Sequence, residues 1–511
     1  MAISVGIGAL SIADVVAVAR HGAQVELSAE ALAEITKTRE HIEALAEAPD
    51  PVYGVSTGFG ALAQRHIPHD LRAQLQRSLV RSHAAGTGPE VEKEVIRALM
   101  LLRLSTLATG RTGVRAEVAE TYAALLNADI TPVVYEYGSL GCSGDLAPLA
   151  HCALAVMGEG DVRTANGEVK PAAQALADAN IQPVTLREKE GLALINGTDG
   201  MLGMLCLALH DLTQLGKYAD LATAMTVQGL RGTTGVYEPD LHELRPHAGQ
   251  AASAANILKL ASDSPILDAA QADFKATQVQ DAYSIRCAPQ VAGGFRDTLS
   301  HATHVAEAEL GSAVDNPVVT KDGRVRSNGN FHGAPVAYVL DFLAIVAADL
   351  ASISERRTDR FLDVARNRGL SAFLADDPGV DSGHMIAQYT QAAIVSELKR
   401  LASPASVDSI PSSAMQEDHV SMGWSAARKL RKSVDGLGRV LAVEILTAAR
   451  AIDMREKEPS PAISAVIAKL RDTVPGPGTD RFLAPEIAST TELVVSGELL
   501  TAAEEVVGTL A

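Results

Sequence analysis

From Pro335 to Leu362 the chain runs about 28 residues with no internal proline or glycine after its first position. As a helix, that stretch would be about 42 Å long at a rise of about 1.5 Å per residue. Its first half is apolar on nearly every face, so it is expected to be buried all round. A small domain cannot bury such a helix. Packing against other long helices, including those of other subunits, is therefore expected. Ser433–Arg455 reads as a second long helix. Ala and Leu are abundant and aromatics make up only 4% of the chain, a composition that favours closely packed helices. The fold expected is all-α: a bundle of long helices with a smaller, loop-rich N-terminal domain.

Gly110 and Gly113 mark the expected boundary, giving an N-terminal domain over 1–110 and a long-helix bundle over 111–511. Before it, Ser28 can cap a helix running to about Ala48, with Pro49 and Pro51 as its stop. Further helices are expected near Leu71–Arg81 and Glu90–Leu107. Asn166-Gly167 and Asp322-Gly323 are hairpin signals. Pro475–Thr479 breaks the chain before a short helical C-terminus.

The net charge of −18 repels nucleic acid and anionic membranes, and no basic cluster offsets it. In the most apolar run, Ala334–Ile353, Asp341 and Asp349 would each cost about 2.5–3.5 kcal/mol near a bilayer centre, so a buried helix is expected there and not a membrane span. Cys142, Cys152, Cys206 and Cys287 form no CxxC pair and read as reduced thiols. Met1–Arg20 has no secretion-signal pattern, so the expected location is cytoplasmic. His242-Glu243 followed by His247 is one residue too long for a zinc-protease motif, and His301 and His304 lack further ligands nearby. No metal is expected to be needed.

The most unusual segment is Gly138-Ser-Leu-Gly-Cys-Ser-Gly-Asp-Leu-Ala-Pro-Leu-Ala-His151. Its glycines loosen a loop, Asp145 offers an N-cap, and Pro148 is tolerated in a first helical turn. A plain turn is one reading. A phosphate cradle is a second, weakened by Asp145 and by the lack of a GxxxxGK[ST] pattern. Self-modification is the third. The Gly144 nitrogen can attack the Cys142 carbonyl and close a five-membered ring. Loss of water from the ring and from the Ser143 side chain then leaves an exocyclic methylene, a strong electrophile.

This segment resembles the signature of the aromatic amino acid ammonia-lyases, whose members carry 4-methylidene-imidazol-5-one (MIO). Tyr53-Gly-Val-Ser-Thr-Gly-Phe-Gly60, Asn196-Gly-Thr198, Gln280-Asp-Ala-Tyr-Ser-Ile-Arg286, Asp315-Asn-Pro317, Gly329-Asn-Phe-His332 and Gln416-Glu-Asp-His-Val-Ser-Met422 extend the likeness over nearly the whole chain. Cys142 replaces the family's usual Ala, Gly333-Ala334 replaces Ala-Glu, and Met415 stands at a position expected to be polar. The resemblance implies a cytoplasmic homotetramer whose electrophile forms from Cys142, Ser143 and Gly144, with no external cofactor. It also implies the roles of the side chains. Tyr53 looks like the base, and Tyr283 is the competing proton-handling group. Arg286 can pair with a substrate carboxylate. Asn196 and Gln280 can donate hydrogen bonds to the MIO oxygen and the substrate carboxylate. Phe331 walls the site, and His83 lies where family members sense the substrate ring. Glu417 resembles the acid of histidine-type members, so deamination of L-histidine to trans-urocanate is expected over phenylalanine or tyrosine chemistry. Taken singly, each of these residues reads as structural: Tyr53 as a packed loop tyrosine, Arg286 as a surface charge, and Glu417-Asp418 as a solvated pair. The rival classes are a phenylalanine or tyrosine lyase or aminomutase, a fumarase-like lyase without MIO, and an inactive helical scaffold.

Overall fold

The helix boundaries follow local chemistry. Ser28 accepts a hydrogen bond from Ala31 N at 3.1 Å and starts the helix Ala29–Ala46. Ser11 and Asp14 form a reciprocal capping box at the head of Ile12–His21, which ends on left-handed Gly22. The computed structural model describes residues 2–47, 52–58, 64–141, 144–277 and 279–511, with no side chains over 272–277. Pro49, Pro51, Phe59, Gly60, Cys142 and Ser143 lie outside the described residues. Helix accounts for 61% and strand for 7%, so the chain is all-α, with strands confined to small two- and three-stranded sheets.

The chain divides into two compact units. The first is Met1–His210 with Thr303–Asp341 and Pro404–Arg428. At its centre runs Lys93–Ala108, buried from Val95 onward. Two arginines on this helix are buried because they serve backbone carbonyls. Arg97 reaches Val18 O at 2.9 Å and Leu126 O at 3.1 Å, at the ends of two neighbouring helices. Arg103 pairs with Asp199 and reaches Ala193 O at 3.0 Å. Both hairpin signals are realised. Asp161–Arg163 pairs antiparallel with Val169–Pro171, and Val318–Val319 with Val325–Arg326.

The second unit is Asp211–Ala302 with Phe342–Ser403 and Lys429–Ala511. At its core Glu444 takes bonds from Arg357 Nε (2.5 Å) and Nη2 (2.8 Å), from Thr226 Oγ1 (2.7 Å) and from Ser354 Oγ (2.5 Å). Both carboxylate oxygens are thereby satisfied, which is the condition for burying the charge. Asp220 is held in the same way by Ser253, Asn256 and Arg296.

The long helices are Asp199–Gly229, Ala288–Leu310, Ala334–Leu362 and Gly423–Asp453. Ala334–Leu362 matches its sequence expectation closely, and it is the one described helix long and apolar enough to cross a membrane. Burial all round does not hold within one chain. Tyr338, Phe342 and Ile345 are 58%, 45% and 42% exposed and form a single stripe at helical spacing. Val336, Leu340 and Leu343 on the other faces are fully buried.

Trp424, the only tryptophan, is 2% exposed, and its indole N–H donates to Glu136 O at 2.7 Å. Its fluorescence is expected to be blue-shifted in the native protein and to move to the red as the first unit unfolds. A solvent-like native emission spectrum would contradict this packing.

Candidate active site

The loop that precedes the helix Leu146–Val156 is gripped on both flanks. Upstream, Met422 N donates to Leu140 O at 2.9 Å and Ser421 Oγ to Gly141 O at 3.0 Å. Downstream, Asp145 N donates to Gly197 O at 2.7 Å, and Gly144 and Gly197 form an isolated parallel bridge. Gly144 has φ +74°, and a Cβ built there would overlap the Gly197 carbonyl. A Cβ on Gly197 would in turn overlap the Arg103–Asp199 ion pair. Glycine is required at both positions, by left-handed geometry at the first and by close approach at each.

Asp145 does not cap its helix, which corrects the sequence reading. Its carboxylate turns inward and accepts from Ser139 Oγ at 3.0 Å and Met201 N at 2.9 Å. Met201 is distant in sequence, and its N–H belongs to the first turn of another helix, so the orphan donor it satisfies is not the one expected. Met201 also accounts for Gly333: a Cβ there would lie 2.5 Å from Met201 Sδ.

Beside this loop lies a cavity of about 1370 Å³, formed within the first unit. Tyr53, His83, Asn196, Phe331 and Glu417 all line it. Tyr53 sits on a turn closed by Ser56 N to Val52 O at 3.0 Å, and Gly54 beside it packs on Pro317. Asn196 ends the short helix Glu190–Ile195; its Nδ2 donates to Asn316 O at 2.9 Å, while its buried Oδ1 has no partner among the described residues. An unpaired buried amide oxygen beside a cavity is a ready acceptor for a ligand donor. Lys189 and Asp315, both buried and 2.6 Å apart, fix the two segments that carry Asn196 and Asn316.

His83 closes the helix Arg72–His83. Its Nδ1 lies 2.9 Å from Leu79 O, so that nitrogen carries the proton and leaves Nε2 as an acceptor. Burial lowers the basicity of His83, while the Leu79 carbonyl and the charge of Glu417 raise it. Ser412 Oγ donates to Glu417 Oε2 at 3.2 Å, and the Ser412 and Glu417 backbones pair across an intervening turn. Met415 is in that turn, left-handed and 67% exposed.

Gln280, Tyr283 and Arg286 belong to the second unit, whereas the cavity is built from the first. Tyr283 and Arg286 do share one face, as their spacing suggested, with the guanidinium 4.6 Å from the Tyr283 ring centroid. Sequence reasoning missed His332 and His419, which line the cavity with Nε2 and Nδ1 3.1 Å apart. Both lie inside motifs quoted above, but nothing in the chain pairs residues so far apart. No group of three or more His, Cys, Asp or Glu able to hold a metal occurs among the described residues.

The profile of the aromatic amino acid lyases matches residues 10–472. The chain belongs to the aromatic amino acid lyase family. Among members of that family, histidine ammonia-lyase of Streptomyces avermitilis is 65% identical, with 99% of each chain covered. Histidine ammonia-lyase of Gloeobacter violaceus is 47% identical, covering 98% of this chain and 97% of the relative. Among solved structures, tyrosine aminomutase from Streptomyces globisporus superposes with a TM-score of 0.93 at 39% identity, with 99% of each chain covered. Histidine ammonia-lyase from Trypanosoma cruzi gives 0.91 at 37%, covering 99% of this chain and 95% of that one. The helical lyase fold is thus common to all of them.

Burial pushes the Asp145 carboxyl up to about 7; the hydrogen bonds from Met201 N and Ser139 oppose the shift, and nearby Asp199 adds to it. The folded value lies above the unfolded one of about 3.9. This carboxyl therefore contributes stability that is complete below about pH 4 and lost as pH rises to about 7. Relative to Asp145→Asn, the parent protein is expected to lose on the order of 4 kcal/mol across that window, because one pKa unit is worth about 1.4 kcal/mol. Urea unfolding of both proteins from pH 4 to 8 checks this, and parallel pH profiles would contradict it.

Proposed function

We propose that this chain eliminates ammonia from L-histidine without oxidation to give trans-urocanate, the first step of histidine degradation, and that its electrophile is MIO formed from Cys142, Ser143 and Gly144. The observation that carries the substrate choice is the pair His83 and Glu417, which line one cavity with the charge of Glu417 felt at His83. His83 Nε2 and the Glu417 carboxylate are both acceptors. An imidazole N–H offers them a donor, which a phenyl ring does not, so polar groups placed here favour the polar ring. The full-length likeness to enzymes named histidine ammonia-lyase supports the same choice.

The residues present fit the prosthetic group. Both flanks of Cys142–Ser143 are fixed, and a Cβ on Gly144 would fill the space that the Gly197 carbonyl occupies. A loop held at both ends has little conformational entropy left to lose on ring closure. When formed, the group supplies an electrophile that ordinary side chains lack. The remaining work belongs to this chain. Tyr53, on the cavity wall, is the base for the β-proton, with Tyr283 as the alternative. Arg286 pairs with the carboxylate, with Gln280 beside it. Asn196 offers its amide to the electrophile's oxygen or to the substrate, and Phe331 walls the ring pocket.

The site is proposed to be composite in a homotetramer, with Gln280, Tyr283 and Arg286 reaching the cavity from other subunits. The stripe of Tyr338, Phe342 and Ile345, left open on a long helix, supports this. The compartment proposed is the cytoplasm, where a reducing medium suits unpaired Cys152, Cys206 and Cys287.

Incubation with L-histidine should give the absorbance of urocanate with one ammonia per turnover. Glu417→Gln should lower that rate at least about tenfold, since a hydrogen bond to a charged group is worth about 1.5–3 kcal/mol and about 1.4 kcal/mol is one decade. Preference for tyrosine or phenylalanine, a β-amino acid product, or full activity in Glu417→Gln would contradict the proposal.

A further inference from the structure

Tyr283–Arg286 is a helix of four residues, too short to hold its own shape. Tyr283 is 71% exposed on it, and the Arg286 guanidinium stacks on the Tyr283 ring. An exposed aromatic carrying a cation on so short a turn is expected to wander. This turn is tied down on its inner side instead. Tyr237, fully buried, donates its phenol hydrogen to Ile285 O at 2.8 Å. Arg357, 1% exposed, donates Nη1–H to Ser284 O at 3.3 Å. At the turn's entry the Asp281 carboxylate accepts Thr233 N at 2.8 Å, and Asp281 O accepts Arg286 Nε at 3.1 Å.

The arrangement behind Arg357 is more elaborate than stability requires. Its Nε and Nη2 are both committed to Glu444, whose remaining lone pairs take Thr226 and Ser354. A buried ion pair adds little net stability over apolar residues of the same volume. It does fix a guanidinium rigidly, so that the one N–H aimed at Ser284 O arrives in a set direction. Tyr237 does the same for the next carbonyl.

We propose that Tyr237 and the Arg357–Glu444 pair are positioning residues, which suspend the Tyr283–Arg286 turn by its carbonyls so that Arg286 meets the substrate carboxylate in register. The inference rests on the role given to Arg286 under the proposed function. Its energetic logic is preorganisation: a misplacement of about 1 Å at a binding group can cost about a hundredfold in rate. The turn is anchored before substrate arrives, so substrate binding does not have to order it.

Tyr237→Phe removes one donor and leaves the ring, and the test uses the full-length enzyme. KM for L-histidine is expected to rise about fivefold, the effect of one lost net hydrogen bond. Competitive inhibition by imidazole, which fits the ring pocket and has no carboxylate, is expected to stay within about twofold. Amide deuterium exchange over 281–287 should quicken while the rest of the chain is unchanged. Asp281→Ala, which cuts the entry tie, should give the same signature and serves if Tyr237→Phe does not fold. An unchanged KM, or imidazole inhibition weakened in step with KM, overturns the proposal. Arg286→Leu is the control. If it too leaves KM unchanged, the carboxylate role of Arg286 falls and takes this inference with it. If it raises KM while Tyr237→Phe does not, only the positioning role fails.

Discussion

Two backbones of the first unit meet closely at Gly144 and Gly197. Asp145 N reaches Gly197 O at 2.7 Å, and neither glycine has room for a Cβ. Several buried polar groups surround that contact. The Arg103–Asp199 pair fills the space above Gly197, and Asp145 turns inward to take Ser139 and Met201. Lys189 and Asp315 tie down the neighbouring strand of loops. Buried charges are expensive, and each here is paired or hydrogen-bonded. The reward is geometric, a chain path fixed on both flanks of Cys142–Ser143.

The second unit solves a different problem with the same means. It must present Tyr283 and Arg286 outward on a turn that cannot support itself. Arg357 and Glu444 lie in its core, and Tyr237 is fully buried with them. In both units, buried polar groups are spent on backbone carbonyls and amides next to proposed functional side chains. Long apolar helices supply the burial that such networks need.

Much of this was legible in the chain, for local reasons. Ser28 as a cap, the Asn-Gly and Asp-Gly hairpins, and the span of Ala334–Leu362 all depend on residues a few positions apart. Tyr53, His83, Asn196, Phe331 and Glu417 came from motifs, and the fold brings all five to one cavity. What escaped depends on tertiary contact. Asp145 read as a cap because nothing local announces Met201. His332 and His419 meet only once the chain has folded. The stripe of Tyr338, Phe342 and Ile345 is open within one chain, where cover from other long helices, including those of other subunits, is expected; hydropathy says that a face is apolar and not what covers it.

The central claim, that this chain makes its own electrophile from Cys142, Ser143 and Gly144, is tested most directly by the intact mass of the purified protein. The account predicts a mass below that of the plain sequence by the water lost on ring closure and the water lost from Ser143, with Ser143→Ala folded, inactive and without that two-water deficit. A wild-type mass equal to that of the unmodified sequence would contradict it.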